Sequence, residues 1–125
     1  METRLSEIGQ IAISVSDVGR VLPFYRDVLG LTFLFSPSPR QAFLSAGPVR
    51  IMLGIPEGAG AAGMNSILYF KVRDIAAAYA NLLERGAAKE RPPHPVAKMK
   101  DHELWIAFVR DPDGNLVGLM EEIAY

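Results

Sequence analysis

Residues 11–18, Ile11-Ala12-Ile13-Ser14-Val15-Ser16-Asp17-Val18, return 57 positions later as Leu68-Tyr69-Phe70-Lys71-Val72-Arg73-Asp74-Ile75. The two stretches share an apolar alternation, a Val and an Asp, and an internal repeat of this kind governs how the rest of a short chain is read. A period of two marks each as a strand: Ile11, Ile13 and Val15 share one face, and Gln10, Ala12 and Ser14 the other. In the second copy Leu68, Phe70 and Val72 oppose Ile67, Tyr69 and Lys71. Each strand thus has a greasy side to lay against a helix and a chemically mixed side.

Asp17 and Asp74 are suited to cap the helices that follow, because a short carboxylate accepts from the orphan amides of a first turn. After Asp74, Ile75, Ala78, Tyr79, Leu82 and Leu83 form a helical stripe that ends at Gly86. After Asp17 the stripe is Val21, Leu22, Tyr25, Val28 and Leu29, ending at Gly30, with Pro23 predicting a kink or a later start. Short β-like runs follow at 31–35, 41–46 and 49–53, with Ser36-Pro37-Ser38-Pro39 as a break between the first two. In the second half, runs at 104–110 and 116–121 flank the hairpin signal Asp111-Pro112-Asp113-Gly114-Asn115. Residues 57–63, rich in Gly, suit a flexible connector and lack the spacing of a phosphate loop. The expected organisation is α+β: one domain over residues 1–125, with βαβββ modules at 6–54 and 66–123 joined by a linker at 55–65.

The 125 residues include no Cys, are 50% hydrophobic and 22% charged, and carry a net charge of −1. This is enough chain for a core without disulfides, and no thiolate is present for nucleophilic or zinc chemistry. Residues 1–62 hold 5 basic and 5 acidic side chains and the remainder 8 and 9, so no basic stripe exists. Nucleic acid and membrane are therefore not expected partners. Glu2, Arg4 and Glu7 precede any apolar stretch, so no targeting segment is expected and the cytoplasm is the default compartment.

Ser16-Asp17, the run Phe24-Tyr25-Arg26-Asp27-Val28-Leu29-Gly30-Leu31 and the late Phe108-Val109-Arg110-Asp111-Pro112-Asp113-Gly114-Asn115 closely resemble the vicinal oxygen chelate superfamily. That superfamily includes glyoxalases, bleomycin-resistance proteins and extradiol dioxygenases, and the resemblance covers roughly residues 6–123. It implies two modules whose mixed sheets curl into a cleft, usually in a homodimer. In metal-dependent members, His, Gln or Glu on the first and last strand of each module bind the ion. Those places fall here on Gln10, Met52, Ile67 and Gly118, of which Gln10 alone offers a suitable oxygen. A catalytic zinc normally has three protein ligands, so no metal and no cofactor are expected.

By parity from those places, Gln10, Ala12, Ser14, Met52, Tyr69, Lys71 and Met120 face the cleft, a mostly apolar lining suited to a small molecule. Both histidines, His94 and His102, fall in the segment Pro92 to Trp105, read as a loop at the cleft mouth. Either imidazole is a candidate ligand contact or proton shuttle, with Asp101 or Glu103 to orient it. A metal held by His94, His102 and Glu103 would match no standard zinc spacing. Trp105 joins the cleft if Asp111 pairs with Leu116, and leaves it if Asp111 pairs with Asn115; the sequence keeps both open. Arg50 and Lys71 are isolated cations able to hold a ligand carboxylate or simply to be solvated. The expected ligand-binding set is Gln10, Ser14, Met52, Tyr69, His94, His102, Trp105 and Met120. The expected function is binding of a small, largely apolar or aromatic molecule. The alternative is a glyoxalase-like lyase, isomerase or dioxygenase using a divalent metal or His102 as acid and base.

Overall fold

The computed structural model describes residues 3–56 and 61–125, so the centre of the Gly-rich connector, residues 57–60, lies outside the described residues, as does Glu2. The first module runs β1 (Gln10–Ser14), α1 (Val18–Pro23) continuing into a wide turn (Phe24–Val28), β2 (Thr32–Ser38), β3 (Gln41–Ala46) and β4 (Val49–Gly54). The second repeats it as β5 (Leu68–Lys71), α2 (Ile75–Glu84), β6 (Ala88–Lys98), β7 (His102–Arg110) and β8 (Leu116–Ala124). Each module makes one four-stranded mixed sheet, ordered β1-β4-β3-β2 and β5-β8-β7-β6. The first and last strands of each are parallel neighbours and the remaining pairs antiparallel.

The caps are the expected ones. Asp17 accepts from the Gly19 amide at 2.9 Å and Asp74 from the Ala77 amide at 3.1 Å. Gly30 and Gly86, at the ends of the two helical stretches, take positive φ of 81° and 102°. Pro23 resolves into a change of winding: the helix is α-helical to Pro23 and then widens to i→i+5 bonding, with the Leu29 amide on the Phe24 carbonyl at 2.9 Å. That widening buries both Phe24 and Tyr25.

Two expectations are corrected. The run Ser36-Pro37-Ser38 does not break the chain; β2 carries it to Ser38 with two register shifts. Likewise Pro92 to Lys98 is no loop. It forms most of β6, an 11-residue strand at the sheet edge with three register shifts. An edge strand bonds on one side only, so its prolines remove amides that the ladder does not need, and the shifts absorb the misfit.

Ile13, Val15, Leu44, Ile51 and Leu53 of the first module join Ile75, Leu82, Val109, Val117 and Leu119 of the second in one buried cluster on the helix side of both sheets. Polar contacts lock the modules together. Asp113 accepts from the Ser16 amide and hydroxyl at 2.7 and 2.6 Å and pairs with Arg20, while Arg85 donates to the Val28 carbonyl at 3.1 Å. Asn65 grips Ser14 through both its amide (3.0 Å) and carbonyl (3.2 Å) and donates to Asn115 at 2.7 Å. Gly63 is a specific fit and not merely a loose connector: at φ 80°, a Cβ there would lie 2.8 Å from the Asp113 carbonyl oxygen.

Candidate functional site

With the greasy faces buried between the modules, the mixed faces of both sheets point away from the core. The strand register orders the first of them in rows. Gln10, Arg50, Ser45 and Thr32 form one, Ala12, Met52, Phe43 and Phe35 the next, and Ser14, Gly54, Gln41 and Ser38 the third. An apolar band thus lies between two polar ones. Phe35 and Phe43 stack at 4.7 Å, and the Gln10 and Gln41 amides approach the Met52 sulfur at 3.9 and 3.6 Å. A concavity of about 440 Å³ opens here, lined by Ala12, Ser14, Arg40, Gln41, Met52 and Ile55 among others. None of its lining residues comes from the second sheet.

The second face is built from the row Tyr69, Gly118, Phe108, Arg91 and the row Lys71, Met120, Ile106, His94. Gly118 does not leave a hole, because Tyr69 fills it. A Cβ at Gly118 would stand 2.7 Å from Tyr69 Cδ1, and the Tyr69 ring meets Phe108 edge to face at 5.7 Å.

His94 therefore lies on this face as a strand residue. Its Nδ1 is 2.8 Å from the Pro92 carbonyl oxygen, which only accepts, so Nδ1 carries the proton. Its Nε2 is buried with no partner among the described residues, an arrangement costing about 1–3 kcal/mol unless something else satisfies it. His102 opens β7 at the far end of the same face; Asp101 sits 2.7 Å from Nδ1 and Glu122 4.0 Å from Nε2. The bond to His102 holds the Asp101 carboxyl below its usual range. Glu103 plays no part with either imidazole and instead accepts from Trp105 Nε1 at 2.8 Å.

The hairpin settles Trp105. The Asp111 amide donates to the Asn115 carbonyl at 2.9 Å and Phe108 stands opposite Gly118, so Trp105 is on the helix side, packed on the core. It is separated from Gln10, Ser14, Met52, Tyr69, Met120 and the histidines by the thickness of a sheet. Glu121 is also on that side, accepting from the Ile75 amide at 2.9 Å as a second cap on α2.

The four inherited metal places do not fit an ion. Gln10 Oε1 accepts from Arg50 Nε at 2.7 Å, which sets a guanidinium where a cation would have to sit, and Met52, Ile67 and Gly118 offer no hard donor. Among the described residues no group of three or more His, Asp or Glu is placed to hold a metal. Arg50, named from the sequence as a cation able to hold a carboxylate, lies on the first face, whereas Phe43 is a member that strand alternation around β1 alone does not single out. The alternation of β3 and its pairing with β4 would have found it.

The buried hairpin is structural. Asp111 accepts from the Tyr25 hydroxyl and Asn115 Nδ2, both at 2.7 Å, and from the Asn115 and Asp113 amides at 2.8 and 2.9 Å. Burial first, and then the Asp111 charge, push the Tyr25 hydroxyl pKa upward.

A profile of the Glyoxalase/Bleomycin resistance protein/Dioxygenase superfamily matches residues 7–119. The uncharacterized protein YraH of Bacillus subtilis (strain 168) is 31% identical over 121 residues, covering 86% of this chain and 92% of its own. A solved member of the same superfamily from Sphaerobacter thermophilus DSM 20745 superposes with a TM-score of 0.77 at 27% identity, covering 94% and 98% of the two chains. TnmS3, an antibiotic binding protein from Streptomyces sp. CB03234, does so with a TM-score of 0.76 at 23% identity over 97% and 99%. Among the described residues, no helix is long and apolar enough to cross a membrane.

Proposed function

Because the chain belongs to the Glyoxalase/Bleomycin resistance protein/Dioxygenase superfamily, we propose that it binds a small, largely apolar or aromatic molecule on the outward faces of its two sheets, in the cytoplasm. The observation that carries this reading is the row order of the first face. An apolar band of Ala12, Met52, Phe43 and Phe35 lies between polar rows beside a concavity of about 440 Å³, a size suited to a small organic ligand. The antibiotic-binding relative lends the same direction. Gln10, Ser14 and Met52 would contact the ligand from the first face, and Tyr69, Met120 and His94 from the second. His102 stands at the rim of this face, and Trp105 acts only by supporting the sheet from behind.

The concavity beside the apolar band is walled by the first sheet without the second, and in this reading a single chain supplies half-clefts. A second copy closing them into a homodimer also covers Phe35, Tyr69 and Ile67, which are 47%, 46% and 38% exposed in one chain. Sedimentation equilibrium is expected to give twice the mass of one chain.

The test of binding is methyl NMR on the five methionines during titration with neutral small aromatic molecules. Saturable shifts at Met52 and Met120, with Met64 and Met99 still, are expected. Saturation confined to other methyls, or none across the series, would remove the cleft as the site. Zinc or manganese in place of the ligand is expected to leave all five unmoved.

A further inference from the structure

We propose that the first sheet's face is a carboxylate-anchoring subsite: a flat apolar body rests on Met52, Phe43 and Phe35 while Arg50 grips an organic carboxylate. This rests on the cleft reading above and names the ligand class within it. Arg50 is held from two sides. Its Nε donates to Gln10 Oε1 at 2.7 Å, and its guanidinium carbon stands 5.3 Å from the centre of the Phe43 ring. Both terminal nitrogens remain without a protein acceptor among the described residues. Two such N–H groups form the fork that matches a carboxylate, and a guanidinium already fixed loses little freedom on engaging it.

The surrounding charge points the same way. The chain carries a net charge of −1, yet Arg40, Arg50, Lys71 and Arg91, on or beside the two faces, have no ion pair among the described residues. Several of the carboxylates are engaged elsewhere. Asp17, Asp74 and Glu121 cap helices, Asp111 and Asp113 build the hairpin, and Glu90 pairs with Arg110. On the second face Glu122 remains, 4.0 Å from His102. Unpaired cations around an apolar floor attract an anion and repel a cationic ligand.

The experiment compares 2-naphthoate with 2-naphthamide, the same flat body with and without the charge, by probe fluorescence on titration with the full chain. Naphthoate is expected to bind about tenfold or more tightly, with the advantage shrinking at high salt. Arg50→Gln is expected to abolish the preference, so that naphthoate and naphthamide bind the variant alike. Equal affinity in the unaltered protein overturns the anchor but leaves the cleft reading standing. A preference that survives Arg50→Gln, or that falls only with Lys71→Gln or Arg91→Gln, overturns the assignment to Arg50. Binding of neither probe also overturns the subsite, and the methionine titration then decides the cleft separately. Circular dichroism verifies the variant's fold. Should Arg50→Gln unfold, Arg50→Lys makes the same test, since an ammonium cannot form the fork and is expected to lose most of the preference.

Discussion

The two modules occupy the same repeat positions with opposite solutions. On the outward face of the first, the small Ala12 stands beside the large Met52; at the equivalent pair in the second, the large Tyr69 stands beside Gly118. The volume is conserved and its placement reversed, so the first face stays concave while Tyr69 lies down over the second. The turns before the last strands differ as well. Gly47-Pro48 joins β3 to β4 and bonds to little else, whereas the Asp111 to Asn115 hairpin reaches into the first module through Tyr25, Ser16 and Arg20. A duplicated scaffold has thus kept its geometry while giving one copy the open surface and the other the structural clasp.

That contrast is broken most sharply at the clasp. Asp111→Ala strands the Tyr25 hydroxyl, the Asn115 side-chain amide and two backbone amides, and is expected to lower the unfolding free energy by about 3 kcal/mol or more. Pro48→Ala in the equivalent turn should cost about 0.5 kcal/mol. Urea unfolding of both variants measures the ratio, and equal losses would erase the distinction between the turns.

A smaller effect is expected at Gly118→Ala, where the new methyl collides with the Tyr69 ring at 2.7 Å. The loss should be about 1–2 kcal/mol and should largely vanish when Tyr69→Ala is added, the coupling that a double-mutant cycle reads.

Asp113 sharpens the comparison through pH. Burial pushes its carboxyl up, but the Ser16 hydroxyl and amide and the Arg20 guanidinium outweigh burial and hold it below the usual range. The unfolded chain therefore binds the proton more readily than the folded one. The contribution to stability is complete above the ordinary aspartate value of about 3.9 and is lost as pH falls below it. Asp113→Asn is expected to flatten that acid limb in a series of melting temperatures, and an unchanged slope would show that the clasp is not what acid releases. The mildest change belongs to the open face: Arg50→Gln should leave stability within about 0.5 kcal/mol, since the side chain is exposed and its bonds are to other surface groups.

Much of the fold is legible before any coordinates, because its signals are local. The repeat of Ile11 to Val18 in Leu68 to Ile75, the two capping aspartates and the period of two are written within a few residues, and the inward face of each first strand follows from parity alone. Prolines misled where tertiary context overrode propensity: β6 tolerates Pro92, Pro93 and Pro95 only because the strand lies at an edge, a fact of sheet order. The same holds for the site. Gln10, Ser14, Met52, Tyr69 and Met120 share their faces as parity requires, and His94 joins them once β6 is a strand.

The sequence by itself determined the module pattern, the caps, which face of β1 and β5 is greasy and the lack of a hard ligand at three of the four places where the resemblance puts a metal. Those depend on residue type and spacing along one element. Only the tertiary structure decided that Trp105 turns to the core, that Tyr69 fills the gap at Gly118 and that Arg50 is pinned between Gln10 and Phe43. Each of these depends on the register between paired strands, and a shift of one residue in that register would send every side chain to the opposite face.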